Sequence, residues 1–175
     1  VDVNLVNERG VYPLTVAAHI GTIEILQFLV ATGAQVNGLN HGSGSTALLS
    51  AAHHGHSDAV KLLLTHGAKS NTPNKKGTTA LMRASQEGHF AICERLLAEK
   101  GTDVDQQNME GMSALLLAAQ RGHAEIVMLL VKYGASVDKK TQLGSTCLML
   151  ACKRGHFRVV EALVSMGADT ELTDR

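Results

Sequence analysis

The stretch SGSTALLSAAHHGHSDAVKLLLTHGAKSN, residues 43–71, contains the whole architecture in one unit. It opens on a turn-forming Ser-Gly-Ser. It continues with a short apolar run from Thr46, breaks at Gly55, resumes at Ser57 and breaks again at Gly67. Leu48, Ala51 and Ala52 fall at i, i+3 and i+4, so they share one face of a helix. Val60, Leu63 and Leu64 do the same in the second run. Thr46 stands where a side-chain oxygen can take up a free N–H of the first turn. The pattern predicts helix, tight glycine break, helix, and a polar link.

Working outward, the unit repeats. Its first glycine aligns with Gly10, Gly77, Gly111 and Gly144, its second with Gly21, Gly88, Gly122 and Gly155, and its third with Gly33, Gly101, Gly134 and Gly167. A period of 33 or 34 residues implies a stack of supersecondary units, each burying its apolar face against its neighbours. Thr79, Ser113 and Thr146 fill the Thr46 column, and His89, His123 and His156 fill that of His56. Glu24, Asp58 and Glu125 sit in the first turn of the second helix, where negative charge favours the helix dipole. Single-residue insertions near Asn40 and Lys100 are expected to fall in turns.

These residues resemble the ankyrin repeat, as RGVYPLTVAAHIGTIEILQFLVATGAQVN (9–37) and EGMSALLLAAQRGHAEIVMLLVKYGASVD (110–138) also show. The resemblance implies an all-α solenoid of stacked helix-turn-helix units with β-turn fingers, ten core helices in one domain over 1–175. Repeats are expected at 7–40, 41–73, 74–107, 108–140 and 141–173, with 1–6 ending a preceding repeat and 174–175 opening a further one. On this reading the chain is an internal window of a longer array, since Val1-Asp2-Val3-Asn4 and Thr173-Asp174-Arg175 match repeat ends. Two departures stand out. The family's proline is present only as Pro13, with Ala47, Ala80, Ala114 and Cys147 elsewhere. The family's first histidine is replaced by Thr15, Leu49, Met82, Leu116 and Met149, which predicts apolar filling there.

Composition narrows the function. Sixteen basic residues balance sixteen acidic ones, so no overall attraction to nucleic acid or anionic membrane is built in. The window Lys132–Arg158 carries six basic residues against Asp138, but five aromatics in the chain leave little to stack on bases. The apolar runs are too short to span a bilayer, which takes about 20 residues. Three cysteines, Cys93, Cys147 and Cys152, suit a reducing compartment, cytoplasmic or nuclear, and Cys147 and Cys152 read as small buried thiols. Histidines recurring one per repeat cannot converge on one ion, and the neighbouring His53 and His54 point different ways along a helix. No catalytic constellation, metal site or cofactor loop is expected, and the chain reads as no enzyme.

What remains is binding to another protein. In the ankyrin family the fingers and the exposed ends of the first helices line a concave groove, so the resemblance implies a protein-interaction module holding a peptide or folded partner there. Met109, Met112 and Leu143 are apolar in finger columns that hold Ser43, Ser45, Lys75 and Thr78 in other repeats. With Arg121, Lys153 and Arg154 at nearby helix ends they form the candidate contact patch, suited to a partner with apolar and acidic groups. The opposing reading folds the methionines back onto the next finger. A structural spacer and nucleic-acid sensing are the competing functions. Asn37 and Asn71, eight residues after Leu29 and Leu63, also have a spacing similar to ankyrin asparagines that become β-hydroxylated, or they are plain turn asparagines.

Overall fold

The computed structural model describes residues 2–171. Ten helices and no strand occur among them: α1 (Pro13–Ile20), α2 (Ile23–Ala31), α3 (Ala47–His53), α4 (Ser57–Thr65), α5 (Ala80–Glu87), α6 (Phe90–Ala98), α7 (Ala114–Arg121), α8 (Ala124–Lys132), α9 (Cys147–Arg154) and α10 (Phe157–Ser165). The expected helix pairs are all present. Val1 and Thr173-Asp174-Arg175, read above as parts of flanking repeats, lie outside the described residues.

Local chemistry starts each first helix. The Thr46, Thr79, Ser113 and Thr146 hydroxyls accept from the backbone N–H three residues on, at 3.1, 3.3, 3.4 and 3.4 Å. Each such cap contributes about 1 kcal/mol. α1 lacks one: Tyr12 precedes it, and Pro13 opens it by having no N–H to satisfy. At the other end of α7, Gly122 takes φ +85° and its N–H returns to Ala118 O, a left-handed stop that an L side chain resists. The Lys100 insertion is absorbed just after α6, whose cap Glu99 is extended (φ −70°, ψ 129°) where the other second helices end in a further turn.

The odd-numbered helices stack in one row and the even-numbered in a second, each pair packing on the next. The odd row packs more closely because its facing positions are small: Ala17, Ala18, Ala51, Ala52, Ala84, Ser85, Ala118 and Ala119 are all buried. Tight packing on one row and looser packing on the other curves the array and leaves the odd row, with its fingers, on the concave side. Between the rows lies a continuous core that includes Leu48, Leu63, Leu81, Leu96, Leu115 and Leu130, each contributing roughly 1.5–3 kcal/mol on burial. Thr15, Leu49, Met82 and Leu116 are buried too, so the column that departs from the family pattern is filled chiefly by apolar side chains.

Successive repeats are also tied by polar contacts. The His56, His89, His123 and His156 rings reach back to the carbonyls of His19, His53, Gln86 and Gln120 at 2.9–3.1 Å. A carbonyl can only accept, so Nε2 carries the proton in each. Asn4, Asn37 and Asn71 clamp the next repeat with both ends of the amide, donating to Gly33, Gly67 and Gly101 O and accepting from Gln35, Lys69 and Asp103 N–H.

The two end faces expose columns that inner repeats bury. Ile25 is 51% exposed, whereas Ala59, Ile92, Ile126 and Val159 in its column are at most 2%. Cys152, expected to be buried, is exposed. Its column mates Ala18, Ala52, Ser85 and Ala119 are 0% exposed because a following helix pair covers each of them. No helix of the described residues is long and apolar enough to cross a membrane.

Candidate partner-binding groove

The fingers are built from side-chain-headed turns. The Asn7, Asn74 and Asn108 side-chain oxygens each accept from the N–H groups two and four residues on. Thr141 does so once, from Ser145 N–H. In the second finger Asn40 turns away to accept from Tyr12 N–H, and Ser43 Oγ supports Ser45 N–H instead. Neighbouring fingers are then linked through Lys75 N–H to Ser43 O, Met109 N–H to Lys76 O and Gln142 N–H to Glu110 O, at 3.0, 3.0 and 3.2 Å. The tips are thereby fixed on backbone bonds, leaving their side chains available to solvent.

Of the sequence-predicted patch, Met109 and Leu143 project at 66% and 79% exposure. Met112 does not: it is 7% exposed and belongs to the core. Its N–H is committed to Asn108 Oδ1 and it directly precedes the Ser113 cap, so its side chain turns inward, as Thr78 does in the same column. Met112 is therefore withdrawn as a surface anchor. Arg121, Lys153 and Arg154 are exposed. Met109 and Arg121 share a recess of about 530 Å³ over repeats three and four with Lys76, Arg83 and Gln86, while Leu143, Lys153 and Arg154 lie outside it on repeat five.

A second recess was not singled out from sequence. It measures about 620 Å³ and spans repeats one to three, with His19, His53, His54, Lys75, Lys76 and Arg83 on its walls. Small residues, Gly42, Ser43, Ser45 and Ser50, line it beside larger ones. That run of small residues in one finger and the facing helix was the available signal. Three imidazoles crowd its edge, with ring centroids 4.0 Å apart for His19 and His54 and 4.6 Å for His53 and His54. His53 Nδ1 lies 3.7 Å from Glu87 Oε1. Burial, seconded by His54, lowers the His53 pKa, and Glu87 acts against them. No group of three or more His, Cys, Asp or Glu among the described residues is arranged to hold a metal ion.

Cys93 and Cys147 are not activated nucleophiles. Burial raises the Cys93 and Cys147 thiols to about 11, far from the lowered range of a reactive thiolate. Cys147 instead donates its S–H to Val137 O.

A family described as ankyrin repeats (3 copies) matches residues 14–108 and 95–174. No curated protein matches the chain.

Proposed function

Because the chain belongs to the ankyrin repeat family, whose members are generally non-enzymatic protein-interaction modules, we infer that it holds a peptide or folded partner across its concave groove and finger tips. The observation that supports this best is the exposure of Met109 and Leu143 on adjacent fingers. The fold does not require apolar residues there, since their columns hold Glu8, Gly42, Lys75 and Gln142, and Arg9, Ser43, Lys76 and Glu110. Exposed apolar side chains cost solubility and gain only when a partner desolvates them, and such anchors carry most of an interface's energy. On this reading Arg121, Lys153 and Arg154 serve as rim cations, which set association rate and salt sensitivity more than affinity.

The test is capture of the partner from lysate, then titration calorimetry against Met109→Ser/Leu143→Ser. The expected loss is at least about tenfold, or ~1.4 kcal/mol, with the thermal midpoint unchanged. Full affinity in the double variant would move the search to the convex face of the even-numbered helices.

A further inference from the structure

The chain is neutral overall, with 16 basic and 16 acidic residues, but the recess over repeats one to three is not. Among the described residues no aspartate or glutamate lines it, whereas Lys75, Lys76, Arg83, His19, His53 and His54 do. Two of its three cations are held in place without being neutralised. Lys75 Nζ donates to His41 O at 2.5 Å and Arg83 Nη1 to Gln86 Oε1 at 2.9 Å, and neither acceptor carries charge. Among the described residues, none of the three cations has a carboxylate within ion-pair distance. Three like charges in one concavity repel one another and focus a positive potential, a cost that an anionic ligand relieves.

The shape selects the kind of anion. Helices of neighbouring repeats stack ~10 Å apart, about the advance of three extended residues. A chain lying along the recess therefore presents about every third side chain to successive repeats, and the small residues in its lining, Gly42, Ser43, Ser45 and Ser50, leave room for its backbone. We propose that this recess is the subsite for an extended acidic segment of a partner protein, gripped by Lys75, Lys76 and Arg83. The proposal rests on the protein-interaction reading and names its ligand chemistry.

The experiment is fluorescence anisotropy on the whole chain with a labelled peptide of about nine residues carrying Glu at every third position, against the same peptide with Lys at those positions. The acidic peptide is expected to bind and the lysine peptide not. Lys76→Glu/Arg83→Glu is expected to weaken binding about tenfold or more, with the helical circular dichroism unchanged. Equal binding of the two peptides, no effect of the charge reversals, or displacement by single-stranded RNA in preference to acidic peptide would overturn the proposal. A captured partner that still depends on Met109 and Leu143 after such an outcome leaves the interaction reading intact, and one that depends on neither defeats that reading as well.

Discussion

Replacing Gly122 by alanine, with Gly134→Ala as the control, separates what a repeat requires of its own backbone from what its neighbour requires of it. Both glycines lie in repeat four and both are left-handed, φ +85° and +89°. An L residue there costs roughly 1–2 kcal/mol, partly offset by the entropy that glycine loses on folding, so each substitution carries a conformational cost of about 1 kcal/mol. At Gly134 a Cβ meets nothing within 4 Å, and the cost ends there. At Gly122 the new Cβ would stand 2.7 Å from His156 Nδ1, in the next repeat. The ring must move, which threatens its 3.0 Å bond to Gln120 O, for a further 0.5–1.5 kcal/mol or so plus lost packing. Urea unfolding followed by circular dichroism should give losses of about 2–3 kcal/mol for Gly122→Ala and about 1 for Gly134→Ala. In a His156→Ala background the excess should vanish, because the clash has no second partner. Equal losses for the two glycine variants, or an undiminished excess without the histidine, would refute the inter-repeat argument.

Leu115→Ala should cost roughly 2–5 kcal/mol and Gln142→Ala within about 0.5, as the first empties a buried site between repeats and the second trims an exposed finger; equal losses by denaturant melts would contradict the columns. Cys93 and Cys147 rise from 9.0 to about 11 on burial, so the folded state favours the neutral thiols, and stability present below pH 9 should fall as pH rises toward 11. Urea midpoints should show that fall, and Cys93→Ala/Cys147→Ala should flatten it; an unchanged slope would sink the assignment. Only Cys152 should react quickly with a thiol reagent at neutral pH, as peptide mapping would show. Arg154→Glu should weaken partner binding most at low salt, and salt-independent weakening by calorimetry would remove it from the rim. If Asn37 or Asn71 is hydroxylated, as the family spacing implies, mass spectrometry of cell-derived protein will show one added oxygen there, and unmodified peptides would leave both as amide clamps.

The sequence alone determined the repeat, its helix pairs and its caps, because those depend on contacts within a few residues: hydroxyls three positions from an N–H, glycines at left-handed stops, apolar faces at helical spacing. Thr46, Thr79, Ser113 and Thr146 could be placed from spacing for that reason. The candidate site was only partly legible. Met109 and Leu143 project as their columns suggested, but Met112, three residues from Met109, points inward. Cys152 is exposed although its column is buried in every earlier repeat. Each outcome depends on what stands across from the residue once repeats are stacked, and a single unit does not specify that. The same holds for the second glycine column, which reads locally as a helix stop but also cradles the following repeat's histidine at Gly21, Gly55, Gly88 and Gly122. It holds too for the basic recess, since Lys75 and Lys76 on one finger, Arg83 on α5 and His19 on α1 come together only because the small odd-row residues let three repeats close into one curve.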